Sequence, residues 1–181
     1  ISKQGLTMKI DASTVVAITG ASSGIGAECA VACAPKGASV VLVARRESQL
    51  RAVAQRVLDA GGSPMVIVAD VSREDDCYRV IDSVATVYGR IDVLINNAGR
   101  GNHASVEDTP TAQWRSMFNV NVDSVFWLTS RALPLMKKAD LGHIIAISSV
   151  AGRYGHPFNA AYVAAKHAVV GFIAALRTEL V

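Results

Sequence analysis

The chain has 181 residues, about the length of one domain, and 51% of them are hydrophobic whereas only 6% are aromatic. Its 18 basic and 15 acidic residues are spread along the chain, so the net charge of +3 includes no basic block of the kind that predicts a nucleic-acid surface. No apolar run is expected to cross a membrane, and the separated cysteines Cys29, Cys33 and Cys77 argue against a disulfide framework or a metal site and for a reducing, cytoplasmic location.

The chain begins with a polar segment that is not expected to belong to the folded domain. Residues 1–12 are predicted to form an N-terminal extension, which is too polar for a signal peptide. Residues 1–7 are interpreted as a remnant of expression, because Met8 follows closely. The domain is therefore predicted to span residues 13–181.

From residue 14 onward, short apolar runs alternate with helical patterns. Strands are predicted at residues 14–19, 39–44, 65–69, 91–95 and 143–148, and helices at 24–36, 47–60, 73–88, 111–138 and from 159 onward. The strands are continuously apolar, which is typical of strands buried on both faces. Five such strands with helical crossovers predict an α/β fold, a Rossmann-type, doubly wound parallel sheet in a single domain. Since two matched halves would need six strands, the last strands are expected to be missing from this chain.

The segment TGASSGIG, residues 19–26, joins the first strand to the first helix. Gly20 is predicted to allow the tight turn, Gly24 to let the backbone approach a pyrophosphate, and Gly26 to let the helix lie close to the strand. The backbone N–H groups of such a loop and the positive N-terminus of the helix bind anions. We therefore predict a dinucleotide site whose loop residues are Gly20, Ser22, Ser23, Gly24, Ile25 and Gly26.

The end of the second strand predicts which dinucleotide is bound. An acidic residue at this place would hold a ribose 2′-hydroxyl, but the chain has Arg45 and Arg46. Two guanidinium groups suit a 2′-phosphate, because they offer charge-assisted and bidentate hydrogen bonds. The coenzyme is therefore predicted to be NADP rather than NAD. Asp70, after the third strand and beside Val71, is predicted either to cap the following helix or to accept a hydrogen bond from the adenine amino group.

Polar residues also follow the fourth and fifth strands, where ligands of this architecture bind. The run NNAG, residues 96–99, has the composition of an ordinary turn but also brings Asn97 to the crevice, and SSVAG, residues 148–152, brings Ser149 there. Tyr162 and Lys166 stand four apart in the last helix, so they share one face with Cβ atoms about 5–6 Å apart. The pKa of a free phenol is about 10, and a neighbouring ammonium lowers it. Tyr162 is therefore predicted to exchange a proton with a substrate oxygen that Ser149 orients.

Taken together, these motifs resemble those of the short-chain dehydrogenase/reductase family, in its short single-domain subtype. The likeness runs from Thr14 to the last residue and is carried by TGASSGIG, ADV (69–71), NNAG, NVN (119–121), SSVAG and YVAAK (162–166). The resemblance implies that Asn121 lies at a distortion of the long helix, where its backbone holds a water in contact with Lys166. It implies a catalytic tetrad of Asn121, Ser149, Tyr162 and Lys166, and coenzyme contacts from Asn97, Ala98, Gly99, Tyr162 and Lys166.

The same resemblance implies an oxidoreductase that passes a hydride between NADP(H) and a small-molecule carbonyl or secondary alcohol, with Tyr162 as general acid/base. The alternatives are an NAD-linked alcohol dehydrogenase and a non-catalytic dinucleotide sensor or scaffold. A homodimer or homotetramer is implied through the helices that contain Asn121 and Tyr162. The substrate is expected to face residues 100–104 and 151–158, whose mixed side chains leave its identity open; they include His103, Arg153, Tyr154, His156 and Phe158.

Overall fold

The structure is a computed structural model that describes residues 9–180. The segment interpreted as a remnant of expression, residues 1–7, lies outside them. The strands are β1 (Val15–Thr19), β2 (Ser39–Ala44), β3 (Ser63–Val68), β4 (Val93–Asn96) and β5 (His143–Ala146). The α-helices are α1 (Gly24–Cys33), α2 (Glu47–Asp59), α3 (Glu74–Tyr88), α4 (Thr111–Phe118), α5 (Ser124–Lys138) and α6 (Ala160–Glu179), with a π-helical turn at Asn119–Asp123 and a 3₁₀ turn at Val150–Gly152.

The five strands form one parallel sheet in the order β3-β2-β1-β4-β5. Ala17 in β1 is paired with Val41 on one side and Leu94 on the other, so β1 is the central strand. The chain winds outward from β1 to β3, then crosses back to β4 on the opposite side of β1. The α/β doubly wound sheet predicted from the sequence is therefore confirmed, and its switch point lies between β1 and β4.

Successive side chains of each strand enter two separate cores, one on each face of the sheet. Val15 and Ala17 pack in the core covered by α3 and α5, whereas Val16 and Ile18 pack in the core covered by α1 and α2. Burial on both faces explains why the strands read as unbroken apolar runs rather than as alternating ones.

Two predicted helices differ from the observed ones. Helix α1 ends at Cys33 and not at residue 36, because Lys36 and Gly37 both have positive φ angles, of 83° and 85°, which no right-handed helix accommodates. The single helix predicted over residues 111–138 is interrupted by the π-helical turn at Asn119–Asp123. This interruption stands where the family resemblance implied a distortion around Asn121.

Helix α6 corrects the expectation that no apolar segment is long enough for a membrane. By length and composition alone, it is the one helix between Lys9 and Leu180 that would pass as a membrane span. A single such helix is weak evidence, because core helices of proteins outside membranes pass the same test. Of the 18-residue stretch of α6 that is most apolar, only 28% is buried within this chain, so much of the apolar surface of the helix is left uncovered.

Candidate active site

A crevice of about 500 Å³ opens beyond the carboxyl ends of the strands, at the switch point of the sheet. It gathers residues from four separate strand ends and from α4. Of the predicted coenzyme-binding residues, those that line it are Gly20, Ser22, Ser23, Ile25, Arg45, Arg46, Asp70, Val71, Asn97, Ala98 and Gly99. The sequence did not single out the other lining residues as coenzyme contacts; these are Ala44, Ala69, Ser72, Arg100, Ser116 and Val120.

The glycine loop is shaped by how closely the backbone segments approach each other. Gly20 has a φ of +66°, and a Cβ there would lie 2.9 Å from the Cα of Ala98. A Cβ on Gly26 would lie 2.5 Å from the carbonyl oxygen of Gly20, so only glycine lets α1 begin against the end of β1. Gly24, with a φ of +56°, faces open space. The loop therefore offers bare backbone to the crevice, as an approaching pyrophosphate requires.

Asn97 and Thr19 join the ends of the two strands that flank the switch point. The Asn97 side-chain amide donates to the Thr19 carbonyl at 2.9 Å, and the backbone N–H groups of Asn97 and Ala98 both donate to the Thr19 hydroxyl at 3.0 Å. Thr19 is buried, and sequence reasoning assigned it no role. The only signal for it was its place as the last residue of an apolar strand, immediately before the glycine loop.

The two arginines at the end of β2 reach the crevice in different ways. Arg46 extends across to the glycine loop, where its guanidinium donates to the hydroxyls of Ser22 and Ser23 at 3.1 Å each. Arg45 lines the same crevice. Within residues 9–180, neither guanidinium forms an ion pair with a carboxylate. Their positive charge is therefore directed into the crevice without being neutralised by the protein.

Asp70 is engaged in a local turn ahead of α3. Its Oδ1 accepts hydrogen bonds from the backbone N–H of Ser72 at 3.1 Å and from the Ser72 hydroxyl at 2.8 Å. The N-cap position of α3 belongs to Arg73, so the capping interpretation of Asp70 is wrong in that form. Asp70 nonetheless lines the crevice beside Val71.

Tyr162 and Lys166 project from α6 toward the ends of β4 and β5. The Lys166 Nζ lies 5.7 Å from the centre of the Tyr162 ring and donates to the carbonyl of Ile147 at 2.8 Å. Lys166 is only 4% exposed, and this burial lowers the pKa of its ammonium. The Tyr162 ring packs against Met117, Ala161 and Ala165, which fixes its plane. The structure thus places a buried cation beside a phenol, as the spacing predicted.

Asn121, in the π-helical turn, lies on the other side of Gly99 from the same lysine. Its Nδ2 donates to the carbonyl oxygens of Arg100 at 2.9 Å and of Met117 at 3.0 Å, whereas its buried Oδ1 has no protein partner in residues 9–180. A Cβ on Gly99 would lie 2.7 Å from that Oδ1 and 3.4 Å from the Lys166 Nζ. Because Gly99 has no side chain, a gap is left beside the Asn121 Oδ1 and the Lys166 Nζ, and the Cβ of a larger residue would fill it.

Ser149 begins the 3₁₀ turn that packs against α6. Its Oγ accepts a hydrogen bond from the backbone N–H of Ala151 at 3.2 Å, which leaves the hydroxyl proton free to be donated elsewhere. The neighbouring Ser148 instead donates to the carbonyl of Lys166 at 3.3 Å. The geometry therefore separates a structural serine, Ser148, from a serine with an available proton, Ser149.

The two loops predicted to face the substrate are joined to each other. The backbone N–H of Ala104 donates to the carbonyl of Phe158 at 2.8 Å, and the rings of His103 and Phe158 lie 5.3 Å apart. Phe158 has a φ of +61°, which is strained for an aromatic residue and holds its ring at the surface. Arg153, Tyr154 and His156 are all exposed nearby in sequence.

Comparison with known proteins adds to this geometry. The family model for short chain dehydrogenases matches residues 14–181. An 11-beta-hydroxysteroid dehydrogenase of Pinus massoniana is 42% identical over 168 residues, which cover 92% of this chain and 47% of that protein. The chain thus spans about half the length of that curated relative.

Two solved structures have the same fold. A metagenomic short-chain oxidoreductase in complex with NADP is 36% identical, with a TM-score of 0.92 over 95% of this chain and 78% of that one. An NAD⁺-bound xylitol dehydrogenase is 29% identical, with a TM-score of 0.90 over 96% of this chain and 66% of that one. One of these two structures holds NADP and the other holds NAD⁺, so the family likeness by itself leaves the choice of coenzyme open.

Proposed function

Because the chain belongs to the short-chain dehydrogenase/reductase family, we propose that its protein transfers a hydride between NADP(H) and a carbonyl or secondary-alcohol substrate. The observation that supports this most strongly is the buried ammonium of Lys166 beside the ring of Tyr162. A protein that only sensed a dinucleotide would have no use for a buried cation next to a phenol, because burying a charge is costly.

The crevice fits a dinucleotide coenzyme. Gly20 and Gly26 keep the loop free of side chains where a Cβ would collide with the backbone, and Arg45 and Arg46 supply positive charge. Ser22 and Ser23, held by Arg46, offer hydroxyls on the same side. A bound nicotinamide would supply the hydride chemistry, with the hydride passing between its ring and the substrate carbon that carries the oxygen.

Proton transfer is assigned to Tyr162. Its hydroxyl gives a proton to the forming alkoxide during reduction, and its phenolate takes a proton from the alcohol during oxidation. We assign to the Lys166 ammonium, 5.7 Å from the centre of the Tyr162 ring, the task of stabilising the negative charge that remains when the phenol gives up its proton. Without this charge, a phenol exchanges protons too slowly near neutral pH.

Ser149 and Asn121 complete the tetrad as orienting groups. Since the Ser149 oxygen already accepts from Ala151, its own O–H is available to donate to the substrate oxygen. The unpartnered Oδ1 of Asn121 offers an acceptor on the side of Lys166, across the gap at Gly99. We assign Asn121 the task of holding the groups around Lys166 in place. In this proposal the proton reaches solvent along the side of the ammonium that faces Asn121.

The preference for NADP(H) is supported by the two unpaired arginines at the end of β2. A 2′-phosphate would satisfy guanidinium groups that have no carboxylate partner in residues 9–180. An NAD-linked alcohol dehydrogenase is the competing function, and its coenzyme would leave this charge unmatched.

The substrate class proposed is a secondary alcohol or ketone on a bulky apolar skeleton. The aromatic pair His103 and Phe158 and the exposed Val150 and Tyr154 are suited to an apolar molecule rather than to a sugar. The Pinus massoniana relative is a hydroxysteroid dehydrogenase, which agrees with such a substrate. We also propose that the protein acts in a reducing compartment such as the cytoplasm.

The function is tested by following the absorbance of reduced nicotinamide with a panel of hydroxysteroids, small secondary alcohols and sugars. The expected result is turnover of the apolar substrates with a lower KM for NADP(H) than for NAD(H). Tight binding of either coenzyme without turnover of any panel member would support the sensor instead. A clear preference for NAD(H) would overturn the coenzyme assignment.

A further inference from the structure

Arg100, the residue after the NNAG turn, lies between the two halves of the site. Arg100 lines the crevice together with Arg45 and Arg46, which the proposed function assigns to the 2′-phosphate of the coenzyme. The tetrad residues are not part of that lining. Arg100 thus shares one crevice with the two arginines, and its backbone carbonyl reaches Asn121 of the tetrad.

The backbone of Arg100 determines how Asn121 is oriented. Its carbonyl oxygen accepts from the Asn121 Nδ2 at 2.9 Å, and the Met117 carbonyl accepts from the same nitrogen at 3.0 Å. Two carbonyl acceptors can be satisfied only by the nitrogen of the amide. The oxygen of Asn121 must therefore point away from them, and it lies where a Cβ on Gly99 would come within 2.7 Å of it.

The side chain of Arg100 holds that backbone segment against α4. Its guanidinium donates to the hydroxyl of Ser116, another residue that lines the crevice. Within residues 9–180, Arg100 forms no ion pair, so its charge is not neutralised by a carboxylate. The arginines that do form ion pairs are Arg51, Arg56, Arg79, Arg90 and Arg131. A cation in a crevice, without a carboxylate, has hydrogen-bonding capacity left for an anionic ligand.

Resting on the proposed function, we propose that Arg100 binds the adenosine-phosphate half of NADP(H) with its guanidinium and positions Asn121 with its carbonyl. A coenzyme that engages the guanidinium then stiffens the peptide that orients the Asn121 amide. Arg100 is a coenzyme-binding and positioning residue in this account, because it does not touch the reacting atoms.

The binding role is tested with Arg100→Gln against Arg115→Gln. Arg115 is an exposed arginine next to Ser116 in α4, and it does not line the crevice. Its replacement therefore removes one positive charge close to Ser116 without changing the residues that line the crevice. Calorimetric titration with NADP⁺ and with adenosine 2′,5′-bisphosphate is expected to show a Kd about tenfold higher for Arg100→Gln, as for a lost charge-assisted hydrogen bond. Arg115→Gln is expected to bind like the wild type. Equal Kd values for the two variants would overturn the binding role.

The positioning role is tested with Ser116→Ala, which keeps the charge of Arg100 and removes its tether. The readout is hydrogen exchange of the Asn121 side-chain amide by NMR, without coenzyme, where the wild type is expected to be protected and Ser116→Ala and Arg100→Gln less so. At saturating coenzyme, Ser116→Ala is expected to lower kcat several-fold while leaving the Kd for NADP⁺ within about threefold, since it removes one neutral donor–acceptor partner only. Unchanged amide protection and unchanged kcat would overturn the positioning role.

A failure of this inference can be distinguished from a failure of the proposed function. If the wild type binds NADP⁺ and Arg100→Gln binds it equally well, only the inference is wrong. If the wild type binds neither NADP⁺ nor NAD⁺, the proposed function is wrong as well. Arg100→Lys, which keeps the charge and loses the planar fork, should give intermediate Kd values, and it replaces Arg100→Gln if that variant does not fold.

Discussion

Lys166 carries the main electrostatic cost of the site. Its ammonium is buried, and within residues 9–180 its only hydrogen-bond acceptor is the carbonyl of Ile147. A position that is only 4% exposed would normally be filled by an apolar residue. The retention of a lysine there is consistent with a task that needs its charge, and burial makes that charge sensitive to pH.

The first prediction concerns this lysine and the stability of the fold. Burial lowers the pKa of Lys166 from its ordinary value of 10.5, so the unfolded chain binds more protons than the folded one between the lowered value and 10.5. Stability therefore rises with pH across that window. Comparing denaturant unfolding of the wild type and Lys166→Met over this range should show the wild type gaining stability relative to the variant, since the raised pKa values of Cys33 and Cys77 act equally on both proteins. Parallel curves for the two proteins would contradict it.

The second prediction concerns the cysteines. Burial raises the pKa of Cys77 to about 12, with a further contribution from the charge of Asp76, and its S–H donates to the Val71 carbonyl at 3.3 Å. Burial also raises the pKa of Cys33, and Cys29 and Cys33 are both half-buried on α1. Because the thiolate is the reactive form and Cys77 is the fully buried thiol, alkylation at pH 8 should modify Cys77 last.

The measurement is mass spectrometry of the native protein at increasing times of exposure to iodoacetamide. Protein unfolded in guanidinium chloride is the control, in which the three thiols should react at similar rates. Rapid labelling of Cys77 in the native protein would show that its surroundings are open.

At the scale of elements, the close junction of β1 and α1 requires a residue without a Cβ at Gly26. Gly26→Ala would place a Cβ 2.5 Å from the Gly20 carbonyl, so the helix must move away from the strand. We expect a loss of about 1–3 kcal/mol in the free energy of unfolding, as for other overpacked sites, together with weaker NADP⁺ binding. Thermal unfolding and calorimetric titration measure the two effects.

Gly171 provides the matched control for this variant. It is also a helical glycine, but nothing lies within 4 Å of the Cβ it would acquire. Gly171→Ala should therefore stabilise α6 by about 0.5–1 kcal/mol. If both glycine variants were equally stable, the close approach at Gly26 would not be limiting.

The sequence was sufficient to predict those elements whose pattern reports burial on both faces. The runs around Val16 and Val41 lie in β1 and β2, and Gly20 and Gly26 stand where the glycine spacing required. The π-helical turn could not be predicted from periodicity, because a π turn adds one residue to a continuous apolar pattern without changing its composition. Only the resemblance carried by the NVN motif indicated a distortion there.

Contacts between distant loops were also beyond the reach of sequence reasoning. Nothing in the sequence links Arg100 to Ser116, or Ala104 to Phe158, since each pair is joined only after the strands are ordered in the sheet. The positive φ of Phe158 could not be foreseen either, because aromatic residues rarely adopt it. The tetrad residues, in contrast, come to one end of the sheet because the carboxyl ends of parallel strands share an edge.

At the scale of the molecule, the helices that carry Asn121 and Tyr162 leave apolar side chains uncovered. Phe126 of α5 is 51% exposed and meets the ring of Phe172 of α6. An apolar surface shared by two helices predicts association with a second copy. We propose a homodimer or homotetramer through this surface.

Light scattering after size exclusion should therefore give at least twice the mass of one chain. Phe126→Asp is expected to shift the protein toward the monomer, because it places an unpaired charge where apolar surface would be buried between the copies. Val87→Asp is the control, since Val87 is an exposed apolar residue of a different helix, α3. A monomeric wild type at working concentration, or equal effects of the two variants, would contradict the proposed assembly.

The assignment of proton transfer to Tyr162 is tested most directly by measuring turnover and coenzyme affinity of Tyr162→Phe. This change removes one oxygen and keeps the ring packed against Met117 and Ala165. Tyr78→Phe, a change at a half-buried tyrosine of α3 that does not line the crevice, is its control. If Tyr162 transfers the proton, kcat should fall by a factor on the order of 100 or more while the Kd for NADP⁺ changes by less than about threefold. Turnover of Tyr162→Phe close to that of Tyr78→Phe would show that the proton passes through another group.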